Sequence, residues 1–111
     1  MNTSYFAKSG NHPNAVSIAG KAPSWYTGRK YKKLAPPYHI FRKYKIDGDQ
    51  VSYTEHFYKE VLNKLDPESV LRELGPHAVI LCYETPEKFC HRQLVAQWFQ
   101  DKLNIIVSEI Q

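Results

Sequence analysis

The stretch Ala78-Val79-Ile80-Leu81-Cys82-Tyr83-Glu84-Thr85-Pro86-Glu87-Lys88-Phe89-Cys90-His91-Arg92-Gln93-Leu94-Val95-Ala96-Gln97-Trp98-Phe99 decides the fold. It opens on a continuously apolar run, crosses a polar, proline-bearing loop, and enters a segment where Leu94, Val95, Trp98, Phe99 and Leu103 recur at helical spacing. A second apolar run, Ile105-Ile106-Val107, follows. Strand, helix and strand in that order make a βαβ unit. Strands apolar at every position are usually buried on both faces, which favours a parallel pair covered by helices. The expected fold is therefore α/β: one small domain over residues 1–111, with a mixed or mostly parallel sheet flanked by helices and this βαβ unit at its C-terminal end.

Working upstream, Asp66-Pro67-Glu68 reads as a helix cap followed by a first-turn proline, with Val70, Leu71 and Leu74 apolar and Gly75-Pro76 ending the helix. Before it, Ser52 and Glu55 form a capping-box pattern, and Tyr53, Phe57, Val61, Leu62 and Leu65 supply an apolar stripe. Tyr38 to Tyr44 predicts a short helix after Pro36-Pro37. From Gly20 to Pro37 there is no periodicity, and Pro23, Gly28, Pro36 and Pro37 break any long element. A loop of that length in a compact domain is usually functional or disordered. Near the N-terminus, Ser4-Tyr5-Phe6-Ala7 and Ala15-Val16-Ser17-Ile18 read as two short strands joined through turn residues.

No apolar run approaches the roughly 20 residues needed to cross a bilayer. The N-terminus has neither a basic start nor an apolar signal core, so a cytoplasmic location is expected, with both cysteines as thiols. The net charge of +4 is unevenly spread: residues 1–50 carry nine Lys/Arg against two Asp, and residues 51–111 carry six against nine Asp/Glu. Within the basic half, Trp25-Tyr26-Thr27-Gly28-Arg29-Lys30-Tyr31-Lys32-Lys33 interleaves rings with cations. Rings stack on bases while cations neutralise phosphates, so Trp25, Tyr26, Arg29, Lys30, Tyr31, Lys32 and Lys33 are candidate contacts to a nucleotide or nucleic acid. The bland alternative is a solvated basic loop whose tyrosines pack on the core.

The loop from Cys82 to Arg92 lies where open α/β sheets bind ligands, beyond the carboxyl end of a strand and before a helix N-terminus. Unpaired N–H groups and the helix dipole favour an anion there. Arg92 in the first turn opposes that dipole unless something negative compensates, either a ligand or a carboxylate such as Glu84 or Glu87. Cys90 sits where the same dipole stabilises a thiolate, with Glu84 and His91 as candidate proton-exchange partners. Against this, Cys90 makes an ordinary hydrophobic plug, His91 an ordinary local cap, and Cys82 an inert end to its strand.

Spacing argues against sharper assignments. Neither Cys82, ten residues before Arg92, nor Cys90, two before it, fits a phosphatase- or rhodanese-type Cys-to-Arg loop. A zinc site usually needs a close cysteine pair within four ligands, whereas this pair is eight apart and His12, His39, His56 and His77 are scattered. No Walker-type or dinucleotide-type glycine pattern occurs. No metal and no cofactor are expected.

The string Leu81-Cys82-Tyr83-Glu84, then Pro86, Phe89-Cys90-His91-Arg92 and an apolar helix with Trp98, resembles domain-of-unknown-function family 488 (DUF488). Ser4-Tyr5-Phe6, Ser17-Ile18, Pro23, Leu34-Ala35-Pro36-Pro37 and the helix with Tyr53, Tyr58 and Val61-Leu62 extend the likeness over nearly the whole chain. The resemblance implies kinship with small prokaryotic and phage α/β proteins and singles out Cys82, Glu84, Cys90, His91 and Arg92, without assigning a reaction.

The expectation that follows is binding of a phosphate-bearing ligand, nucleotide or nucleic acid, beside Arg92 and Cys82, with the basic aromatic loop closing over it. One alternative is a thiol-dependent enzyme with Cys90 as nucleophile and His91 or Glu84 as acid/base. The other is a small interaction protein in which the Cys/His/Arg motif is structural.

Overall fold

The computed structural model describes every residue, Met1–Gln111. The strands are β1 (Asn2–Tyr5), β2 (Ala15–Ser17), β3 (Arg29–Lys30), β4 (Val79–Cys82) and β5 (Ser108–Glu109). The helices are the single turn α1 (Phe6–Ser9), then α2 (Tyr38–Asp47), α3 (Gln50–Glu60), α4 (Pro67–Leu74) and α5 (His91–Leu103). All five strands are parallel, in the order β3-β2-β4-β1-β5. No helix is long and apolar enough to cross a membrane.

The apolar run that decided the fold class is the central strand, and all four residues of β4 are buried. Alternation along strands divides its neighbours between two faces. Ile80, with Val16 and Ile18 of the adjoining strand segment, joins the larger core, where Phe57, Val95, Trp98 and Phe99 pack from α3 and α5. Val79 and Leu81 point the other way, to a smaller cluster with Phe6, Ala15, Ala19 and Tyr26. From β1 the chain moves to β2 and β3 on one side, and from β4 it moves through α5 to β5 on the other. That reversal falls between β4 and β1, at whose carboxyl ends Cys82 and Tyr5 are paired in register, the kind of switch point at which open α/β sheets place their ligands.

Several local expectations shift. The first strand is Asn2–Tyr5, with Phe6 already opening α1. The stretch expected as a featureless loop contains β3, a strand of two residues, and a 3-10 turn over Lys32–Leu34. The capping box at Ser52 and Glu55 does not form: Asp49 is the cap, accepting from the Ser52 N–H at 3.0 Å, so Ser52 sits inside the helix. Asp66 caps α4 as expected, accepting from the Ser69 N–H, with Pro67 in the first turn. The final strand is Ser108–Glu109 rather than residues 105–107, and Ile106 is exposed.

Gly10 follows α1 and lets Trp25 lie edge-on to Phe6, with ring centroids 6.4 Å apart. A Cβ at Gly10 would stand 2.3 Å from the Trp25 ring and 2.7 Å from the Phe6 carbonyl oxygen. Gly10→Ala is expected to displace Trp25 and cost about 1–3 kcal/mol, as overpacking does. Chemical denaturation followed by tryptophan fluorescence checks this, because Trp98 is fully buried and the change in native emission belongs to Trp25.

Candidate functional site

Cys82 ends β4, and Cys90 is the residue preceding α5, in extended conformation. The loop between them folds back so that the two sulfurs are bonded to each other, with their Cα atoms 7.0 Å apart. Two free thiols with separate roles were expected. A loop of seven residues, 83–89, and the sheet's geometry join them instead. Both are nearly covered, Cys82 at 1% and Cys90 at 8% exposure.

His91, the first residue of α5, is buried and does not cap its own helix. Its ring reaches β2's end, where Nε2 lies 2.8 Å from the Ile18 carbonyl oxygen. A carbonyl only accepts, so Nε2 carries the proton, and Nδ1 keeps a free lone pair. That lone pair faces the sulfurs, 3.9 Å from Cys90 Sγ. Burial pushes the imidazole down from 6.5 to about 4; the Ile18 hydrogen bond opposes this, and the Arg92 charge adds to it. His91 is neutral at physiological pH and is a poor proton acceptor.

Arg92 departs furthest from expectation. Its place in the first turn calls for a bound anion or a carboxylate such as Glu84 or Glu87, yet the side chain has no exposed surface and touches neither of those carboxylates. Its Nε donates to Glu109 Oε1 and its Nη2 to Glu109 Oε2, both at 3.0 Å, a bidentate pair. The remaining Nη1 donates to Cys82 Sγ at 3.1 Å, and the guanidinium lies 6.0 Å from the Tyr5 ring centroid. The required anion is thus a carboxylate of β5. Burial works to raise the Glu109 carboxyl, but hydrogen bonds from Arg92 and Thr3 outweigh it and hold it below its usual range. Cys82 and Arg92, ten residues apart in the chain, are in contact through the fold, although their spacing is not that of a phosphatase- or rhodanese-type loop.

Glu84 is half-buried on the connecting loop and makes no hydrogen bond to Cys90, His91 or Arg92. The basic aromatic segment is largely spent on the fold. Arg29 donates to the Leu74 and Glu73 carbonyls at 3.0 and 2.9 Å, satisfying the open end of α4. Tyr31 and Lys33 both bind the Glu73 carboxylate, which they hold below its usual range, and Tyr26 is buried with its hydroxyl on the Arg29 carbonyl. These residues do not close over Arg92. Lys30 and Lys32 remain exposed, and Trp25 is 52% exposed.

The donor atoms of Cys82, Cys90 and His91 all lie within 4.8 Å of one another, so the fold supplies the proximity that linear spacing denied to a metal site. Ile18, Glu109, Thr3 and Tyr5 were not foreseen. Only the cation at the helix start signalled that a compensating anion had to exist.

The family model of DUF488-N3a, described as the active DUF488-N3 subclade, matches residues 9–103. The chain belongs to the DUF488 family. No curated protein and no solved structure matches it. The DUF488 match contains Cys82, Cys90, His91 and Arg92, whereas Thr3, Tyr5 and Glu109 lie outside the matched span.

Two outcomes are expected from this geometry. Arg92→Ala should lower stability by about 3–5 kcal/mol, because it empties a fully buried position and leaves a partly buried carboxylate without its partner, and Arg92→Met with Glu109→Leu should recover most of that loss. Urea unfolding of the singles and the double measures the coupling. For His91, the folded pKa of about 4 lies below the unfolded 6.5, so the unfolded chain binds the extra proton between those values. Stability is therefore retained above pH 6.5 and falls as pH drops toward 4, by on the order of 3 kcal/mol. His91→Gln should flatten the urea midpoint across that window relative to the parent protein.

Proposed function

We propose that this DUF488 domain performs thiol–disulfide chemistry, with Cys90 as the attacking thiol and Cys82 as the resolving one. The observation that carries this is the bonded sulfur pair at the end of the central strand with the Arg92 Nη1 on Cys82 Sγ at 3.1 Å. An N–H donated to a sulfur favours the thiolate even where the guanidinium's charge is balanced by Glu109, and thiolates are the reactive form. Cys90 is the more exposed of the two residues and stands at the positive end of the 13-residue α5, which favours its thiolate as well. His91 is held in place by its Nε2–H on the Ile18 carbonyl and, being neutral, does not act as the base of the site, and Glu84 makes no contact that gives it a part. The description of the family as an active subclade favours a chemical use of the motif over a purely structural one.

The oxidant is a disulfide. The Cys90 thiolate attacks one sulfur of the substrate, forming a mixed disulfide and expelling the other sulfur as a thiolate. The Cys82 thiolate then attacks Cys90 Sγ, releasing the second substrate thiolate and closing the Cys82–Cys90 bond. Two electrons pass from the protein to the substrate, and an external dithiol restores the reduced pair.

Reduced protein mixed with glutathione disulfide, acid-quenched and digested for mass spectrometry, tests this. In Cys82→Ser a glutathione adduct should accumulate on Cys90. In Cys90→Ser, Cys82 should stay unmodified because it is buried. Preferential modification of Cys82, or no adduct on either residue, would sink the assignment.

A second use is favoured by the surface. Trp25 and Tyr83 are about half exposed beside Phe6, and elsewhere on the surface Lys30 and Lys32, like Lys21, are exposed and enter no ion pair. This suits rings and phosphates of a nucleotide or nucleic acid. Binding of short single-stranded DNA or RNA should weaken as salt rises, and absence of binding at low salt removes this use.

A further inference from the structure

We propose that, once reduced, Cys82 Sγ, Cys90 Sγ and His91 Nδ1 form a three-ligand site for a thiophilic divalent ion of the zinc class. This rests on the reading above that the sulfur pair opens to a dithiol. The three donor atoms lie within 4.8 Å of one another and all three residues are buried. Two ligands of one tetrahedral zinc, at its usual bond lengths, stand about 3.5–3.8 Å apart. The Cys90 Sγ to His91 Nδ1 separation is 3.9 Å, so those two atoms are already close to a shared ion's geometry.

The surroundings of the three residues are those of a metal site. A ligating histidine usually donates its other ring N–H to a carbonyl or carboxylate, which fixes the ring and the tautomer. His91 has that arrangement through Ile18, at 2.8 Å, and its free lone pair points inward at the sulfurs rather than into a void. Arg92 Nη1 donates to Cys82 Sγ, as N–H groups do to metal-bound thiolates, while Glu109 cancels its charge. Two thiolates and a divalent ion are then neutral together, which the buried position requires. Glu109 is already paired with Arg92 and no other carboxylate bonds to the three ligands, so hard ions such as magnesium or calcium find no oxygen cage. Three protein ligands leave the fourth position for water or a substrate sulfur. Oxidation of the pair removes two of the three ligands, so metal and disulfide exclude each other.

The test uses full-length protein, reduced and then freed of reductant, titrated with cobalt(II) and zinc. Expected are one ion per chain, a thiolate-to-cobalt charge-transfer band that zinc abolishes, and no binding to the oxidised protein. Cys82→Ser, Cys90→Ser and His91→Ala should each weaken binding by more than about 100-fold, the upper end of what losing even a supporting hydrogen-bond partner costs. Should a variant misfold, alkylation of both thiols in the parent protein substitutes for it and should abolish the band. A reduced protein that exchanges with glutathione disulfide in chelator but binds neither ion overturns the metal site and spares the thiol chemistry. Binding with intact stoichiometry but no exchange does the reverse. Cobalt binding that survives in His91→Ala at parental affinity also overturns the three-ligand site.

Discussion

A guanidinium with no exposed surface must find its counter-charge inside the fold, and Arg92 finds it in Glu109. An unpaired buried ion costs several kcal/mol even after the protein relaxes. The two residues therefore constrain where β5 can lie. β5 is only two residues long and its pairing with β1 covers two registers, Asn2 with Ser108 and Thr3 with Glu109. So short an edge strand has little of its own to hold it. The bidentate contact from α5, with the Thr3 hydroxyl donating to the same carboxylate at 2.6 Å, pins the C-terminal segment against β1. The third guanidinium donor then reaches Cys82, so one side chain links α5, the edge strand and the end of the central strand.

That linkage explains why the sulfurs, the imidazole and the guanidinium meet although their roles are not contiguous on the helix. Successive helical residues diverge by about 100°. Cys90 avoids the divergence by standing before the helix in extended conformation, which turns its sulfur back toward Cys82. His91 turns toward β2 and Arg92 toward β1 and β5. Between them the two side chains grip both neighbours of β4, and the sulfur pair sits where they part. The order β3-β2-β4-β1-β5 is thus a condition of the site as much as of the core.

The parts of this arrangement that were legible in the sequence are those governed by local pattern. The apolar run of β4, the helix α5 and the Asp66-Pro67 cap all depend on residues close in the chain, and each forms within a residue or two of its expected place. The Ser52 capping box failed because a better acceptor, Asp49, stands three residues earlier, just after Gly48 takes a left-handed turn with φ of 63°. β3 escaped notice because two exposed residues, Arg29 and Lys30, carry no strand pattern; they pair because Val16 and Ser17 offer them an edge. The apolar run at 105–107 misplaced β5 for the opposite reason. Its composition suits a strand, but the registry is set by Glu109, a polar residue whose value to the fold lies in its charge. For the site, the cation at the helix start correctly required an anion, yet which carboxylate answered depended on sheet order.

The basic half of the chain shows why counting charge overstates what a surface can offer. Arg29 is consumed by the carbonyl end of α4, and Lys33 by Glu73, which also takes the Tyr31 hydroxyl. Tyr26 faces the core, while Trp25 keeps half its ring in solvent. A cation bound to a helix C-terminus still contributes to the long-range field, but it no longer offers free donors to a phosphate. Arg92 obeys the same logic in an extreme form, since its charge is cancelled by Glu109 and its one nitrogen not bonded to that carboxylate donates to a sulfur. What remains near the end of β4 is a polarised sulfur pair beside a neutral imidazole. Soft, thiol-centred chemistry suits those groups better than the capture of a hard anion.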